Sequence, residues 1–143
     1  MKIEQLKEYS DELMAAIVRL LPQLTIYSSL PSKKEVAEIF KNPGTTIWVL
    51  KDDQQKIVGM LTLVIYQTPT GTHAWIEDVV VDEKVRCKGY GKMLTLAAID
   101  FAERNHAKAI SLTSRPFREA ANHLYQNLGF QLQDTNLYRL DLK

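Results

Sequence analysis

Residues Ile76–Leu94 read IEDVVVDEKVRCKGYGKML. A β-branched run passes through a short charged stretch into Gly89-Tyr90-Gly91 and then into an apolar helical pattern. The segment therefore reads as strand, glycine loop and helix. Gly89 and Gly91 permit positive φ and leave no Cβ in the way. Successive amides there can point at one anion, and the helix N-terminus adds its partial positive charge. Arg86, Lys88 and Lys92 supply formal charge nearby. Taken alone, the segment suits two readings: a tight turn with solvated cations, or a cradle for a pyrophosphate. It lacks the first glycine of a dinucleotide fingerprint and the Gly-Lys-Ser/Thr of a Walker loop.

Working outward, the helix Gly91–Glu103 turns Met93, Leu94, Leu96, Ala97, Ala98 and Phe101 inward. A short strand, Ala109–Thr113, follows. Strand, helix and strand over residues 75–113 predict one right-handed parallel crossover. Upstream, Thr45–Leu50 and Ile57–Tyr66 flank the polar turn Lys51–Lys56 and predict an antiparallel hairpin. Trp75–Val81 is the next strand. Residues 11–21 carry Leu13, Ala16, Ile17, Leu20 and Leu21 at helical spacing, with Ser10 as cap and Pro22 as stop. Ser32-Lys33-Lys34-Glu35 is a capping box opening a second helix with Val36, Ile39 and Phe40 on its apolar face. Phe117–Leu128 is a helix stopped by Gly129. Leu137–Leu140 alternates as a last strand. The class is α+β, a mixed sheet of about six or seven strands flanked by helices.

The chain has 143 residues, 45% of them hydrophobic, which suits one domain over residues 1–143. Eighteen basic and seventeen acidic residues leave a net charge of +1. That balance argues against a nucleic-acid or anionic-membrane partner bound through bulk charge. One cysteine excludes an intrachain disulfide and fits a reducing compartment. Three histidines and that cysteine lack ligand-like spacing, so no metal site is expected. Met1-Lys2-Ile3-Glu4 has no signal-peptide character, and Ile57–Tyr66 falls short of the roughly 20 residues of a membrane span. The expected location is the cytoplasm.

Two segments together resemble the GCN5-related N-acetyltransferase (GNAT) family. Arg86-Cys87-Lys88-Gly89-Tyr90-Gly91 is similar to its Q/R-x-x-G-x-G/A loop. Ala121-Asn122-His123-Leu124-Tyr125-Gln126-Asn127-Leu128-Gly129-Phe130 is similar to its A-x-x-L-Y-x-x-L-G-F helix ending. The resemblance covers roughly residues 57–130. Upstream of the loop, Ile76-Glu77-Asp78 is similar to the branch containing glucosamine-6-phosphate acetyltransferases, a likeness too short to carry over the sugar substrate. The family implies a splayed sheet, acetyl-CoA as co-substrate, and transfer to a primary amine within a ternary complex. It further implies that Arg86, Cys87, Lys88, Gly89, Tyr90, Gly91 and Lys92 hold the cofactor, with Val79, Val80 and Val81 meeting it through their backbone. Where many members carry Asn, this chain has Arg118. An arginine can meet a cofactor phosphate or pair with Glu119.

An alkyl amine with a pKa of ~10.4 costs about 4–5 kcal/mol to present neutral at pH 7, so a carboxylate that takes its proton helps. Strand alternation puts Glu77 with Trp75, Val79 and Val81, and Asp78 with Ile76 and Val80. Glu77 is the candidate base; the other reading is an acid paired with a nearby Lys or Arg. A Val79 or Val80 amide can meet the thioester carbonyl only if the strand ladder is interrupted. Tyr125 is the candidate acid for the leaving thiolate. Cys87 has a thiolate-favouring setting, but the family transfers directly to the amine. The expected acceptor is a small molecule. Alternatives are a protein N-terminus or lysine, and a sensor that binds acyl-CoA without turnover. Thr135–Leu142, alternating and apolar, favours a homodimer through strand pairing.

Overall fold

A computed structural model describes residues 1–25 and 29–142. By internal contacts the chain divides into residues 1–113 and residues 114–143.

The first unit is a mixed sheet with helices. The chain opens with β1 (Lys2–Leu6), then α1 (Asp11–Leu24) and α2 (Lys33–Ile39). Next come β2 (Thr45–Lys51), β3 (Ile57–Thr68) and β4 (Gly71–Val81). A 3₁₀ turn at Glu83–Val85 leads to α3 (Tyr90–Arg104) and β5 (Ile110–Ser111). The strands lie in the order β1-β2-β3-β4-β5. All neighbours are antiparallel except β4 and β5, which are parallel and joined through α3.

Local chemistry accounts for most of these boundaries. Ser10 Oγ accepts from the Leu13 amide, and Asp11 and Glu12 occupy the first turn of α1. The Ser32 box closes both ways: its hydroxyl takes the Glu35 amide at 3.1 Å and its amide reaches Glu35 Oε1 at 3.0 Å.

The alternation of β2 sorts the core into two faces. Ile47 and Val49 pack with Leu13, Ala16, Ile17 and Leu20 of α1, Val36 of α2, and Ile57, Met60 and Val80. Trp48 points the other way, edge-on to Phe101 of α3 at 5.2 Å. Gly59 leaves room there for Leu94; a Cβ on it would sit 3.1 Å from Leu94 Cδ1.

Several elements differ from expectation. Strand β1 was not anticipated: Ile3 and Leu6 are its only apolar positions, and it forms because β2 offers a partner over its full length. Helix α1 runs through Pro22 to Leu24. The proline gives up only the bond to the Val18 carbonyl, at an exposed residue, and the Thr25 amide closes the last turn on Leu21. Strand β4 begins at Gly71, not Trp75, because the turn at Pro69 and Thr70 zips Thr68 against Gly71. On α3 the buried row is Leu94, Thr95, Ala98 and Ala102, while Met93 and Leu96 are exposed. Thr95 is tolerated inside because its hydroxyl donates to the Gly91 carbonyl at 2.7 Å.

The second unit contains α4 (Glu119–Asn127), stopped by Gly129 at φ +99°. Tyr125 packs edge-on against Phe130 at 5.8 Å. No strand forms among residues 131–142, where a last strand was predicted, and the sheet has five strands rather than six or seven. Alternation marks an amphipathic strip, but a strand needs a partner ladder, and Leu132, Leu137, Tyr138, Leu140 and Leu142 stand exposed. No described helix is long and apolar enough to cross a membrane.

Leu13 is 0% exposed at the centre of the α1 face. Leu13→Ala is expected to destabilise the protein by about 2.7–5 kcal/mol through lost burial and a residual cavity. Urea denaturation should show this as a lower midpoint at unchanged m.

Candidate active site

Strand β4 loses its regular ladder where the sequence places its acids. Thr62 pairs with Glu77 but Met60 pairs with Val80, so Asp78 and Val79 together oppose Leu61. This is a bulge, and Asp78 takes its left-handed position at φ +51°. Aspartate is one of the few non-glycine residues that accept that conformation.

The bulge reverses the alternation. Glu77 therefore lies on the same face as Trp75 and Val80, and the expected grouping with Val79 and Val81 is wrong. An inserted residue shifts everything after it to the opposite face. It also turns the amides. Ala74 donates to Ala109 on the β5 side at 3.1 Å, and Asp82 donates to Val58 on the β3 side at 2.8 Å. Counting back from Asp82, the Val80 amide faces β3, while those of Val79 and Val81 face the opposite edge. On that edge β5 covers only Ala74 and Trp75. From Ile76 to Val81 no described strand pairs with it. Arg86 Nε takes the Val81 carbonyl there at 2.9 Å.

The loop after β4 is exposed from Arg86 to Gly89. Cys87 and Gly89 both have positive φ, +66° and +80°. No side chain caps α3 at Gly89, so its first amides keep their donors free. A Cβ on Gly89 would meet nothing within 4 Å. Open space above free helix amides, with Arg86, Lys88 and Lys92 around it, suits a bound phosphate. The site is thus a strand edge and a loop. The clefts of about 200 and 320 Å³ lie along the other half of α3, beside Ile110 and Tyr66 respectively.

The family model for the acetyltransferase (GNAT) family matches residues 11–130. The chain belongs to the GNAT acetyltransferase family. It is 30% identical over 129 residues to the uncharacterized N-acetyltransferase YycN of Bacillus subtilis, covering 90% of this chain and 82% of YycN. It is 39% identical over 64 residues to YhdJ of the same organism, also an uncharacterized N-acetyltransferase. That match spans less than half of either protein, 44% of this chain and 45% of YhdJ. Among solved structures, an aminoglycoside acetyltransferase from an uncultured soil metagenomic sample, in complex with trehalose, has the same fold. Its TM-score is 0.86 at 22% identity, covering 99% of this chain and 96% of that one.

Within this GNAT domain the titratable groups are uneven. Desolvation raises the Glu77 carboxyl above its ordinary 4.5, the charge of Asp78 adds to this, and Trp75 opposes it. Desolvation alone raises Asp78. In the second unit Tyr125 is buried, 8% exposed. Burial raises its phenol, against a lowering by Arg118, which sits at the start of α4. Among the described residues Arg118 forms no ion pair, so the surface pairing with Glu119 is not formed. Arg19, Gln23 and Asp82, which the sequence did not single out, meet at the turn that precedes the loop; their only signal was polarity at the rim of an apolar helix and at a strand end.

Because the folded-state pKa of Glu77 is raised, its contribution to stability is fully present below about 4.5 and lost as pH rises through the raised value. Glu77→Gln mimics the protonated form. It should melt with the wild type below pH 4.5 and above it near pH 7, and calorimetric scans across that range check the sign.

Proposed function

We propose that this chain transfers the acetyl group of acetyl-CoA to a primary amine by direct attack, within a single domain, and that the acceptor is a small molecule. The observation that carries the reading is the open edge of β4 running, past the bulge at Asp78, into the uncapped start of α3 at Gly89. A linear thioester carrying a pyrophosphate matches an unpaired strand edge that ends in free helix amides.

The thioester supplies the activated acetyl carbon. Glu77 takes a proton from the amine as nitrogen bonds to that carbon, and its raised pKa brings it closer to the working pH of a base. The Val79 amide donates to the carbonyl oxygen as negative charge gathers there; Val80 and Val81 bound the acyl chain through their backbone. Tyr125 gives its phenolic proton to the sulfur as the carbon–sulfur bond breaks. Residues 86–92 hold the pyrophosphate, and Arg118 meets a cofactor phosphate.

A near-zero net charge offers no field to steer a peptide, which favours a small acceptor over a protein N-terminus or lysine. A sensor that only binds acyl-CoA would have no use for an acid with a raised pKa beside the open edge. The exposed row Tyr138, Leu140 and Leu142 supports a homodimer formed by strand pairing. Screening amines with free-thiol detection tests the reading; the name of the fold relative puts aminoglycosides first, followed by aminosugars, polyamines and peptides. Acetyl-CoA consumption by none of them, with tight CoA binding, would favour the sensor.

Gly89→Val should fold, since nothing crowds its Cβ, at a cost of about 1–2 kcal/mol for the left-handed backbone. It should weaken CoA binding by blocking the phosphates, and calorimetry on the folded variant decides this. Tyr125→Phe should keep its packing on Phe130 and nearly all its CoA affinity. Its turnover should fall by about 10²–10⁴, the range for a lost general acid; wild-type turnover on an identified amine would make the hydroxyl structural.

A further inference from the structure

Helix α1 reaches the loop after β4 through side chains. Arg19 Nη2 donates to the Ile57 carbonyl at the start of β3, and Arg19 Nε lies 3.8 Å from Asp82 Oδ2. Asp82 is 3% exposed. Arg19 Nε is buried with no hydrogen-bond partner, so the Asp82 carboxylate meets it as a charge across a short gap. One turn along, Gln23 Oε1 accepts from the Glu83 amide at 2.8 Å, and Gln23 Nε2 donates to the Arg19 carbonyl at 3.3 Å.

Asp82 organises the turn from its other side. Its Oδ1 accepts from the Lys84 amide at 3.1 Å, and its carbonyl accepts from the Val85 amide at 3.0 Å. The amides of Glu83, Lys84 and Val85 are therefore all taken, one by α1 and two by Asp82. The chain is fixed up to Arg86, where the exposed loop begins. A buried ion pair is weak evidence for stability, because desolvation offsets most of its attraction. Its effect here is geometric: it sets where the loop starts.

We propose that Arg19, Gln23 and Asp82 form a latch through which α1 positions the Arg86–Gly91 loop for the cofactor pyrophosphate. They are positioning residues, and the inference rests on the cofactor reading given above. A pre-ordered loop binds with less entropy lost on association, so loosening the latch should appear as lost affinity.

The test compares wild type with Gln23→Ala, Arg19→Met and Arg19→Lys. CoA affinity is measured by calorimetry, and amide exchange of residues 83–91 by NMR on the free protein. Gln23→Ala removes one acceptor at a half-buried position and should melt near the wild type. It should speed exchange at Glu83–Val85 and weaken CoA about tenfold, equivalent to about 1.4 kcal/mol. Arg19→Met should do the same, and Arg19→Lys should recover part of the affinity. Folded Gln23→Ala and Arg19→Met proteins with wild-type CoA affinity would overturn the latch while leaving the cofactor reading intact. A wild type that does not take up CoA would overturn both, a result visible before any variant is made.

Discussion

Between Glu77 and Val80 the ladder joining β3 to β4 skips a residue, and past Trp75 the other edge of β4 has no described strand beside it. Backbone donors and acceptors in a folded protein are nearly always paired. Apart from the Val81 carbonyl, which Arg86 Nε holds, the edge over Ile76–Val81 has no described strand beside it and is therefore either solvated or open to something that pairs with it. Two features create this opening. One is the brevity of β5, which ends at Ser111. The other is the left-handed backbone at Asp78, which reverses the direction of the amides downstream.

Acids and cations lie at different points along this edge. Glu77 and Asp78 stand at the bulge, where desolvation raises both carboxyls and the charge of Asp78 adds to the rise at Glu77. Arg86, Lys88 and Lys92 stand at the far end, around the start of α3. The end of β4 and the 3₁₀ turn at Glu83–Val85 lie between the acids and these cations. The near-zero net charge conceals that separation.

Helix α1 has two roles that a helical wheel merges into one. Leu13, Ala16, Ile17 and Leu20 fill one face of the sheet. Arg19 and Gln23, at the margin of that stripe, reach Asp82 and Glu83 beyond the end of β4. Packing fixes the height and rotation of the helix, and this brings its polar margin to the turn that precedes the loop. The same helix thus touches both the core and the turn that precedes the loop.

Sequence by itself determined what short-range chemistry controls. Ser10 and the Ser32 box start their helices, Gly129 stops another, and β-branched runs make β2, β3 and β4, because caps, turns and alternation act between near neighbours. The glycine loop before α3 was legible for the same reason, and with the Leu124-Tyr125 segment it pointed to the family. Tertiary structure alone decided the rest. Strand β1 exists because β2 accepts it, and residues 131–142 alternate without becoming a strand because pairing takes two chains of backbone. Met93 and Leu96 are exposed where Thr95 is buried, since an α3 apolar on several sides can be oriented only by the sheet it packs on. The bulge at Asp78 moves Glu77 to the face of Val80, because a two-residue period holds only while every residue has a partner.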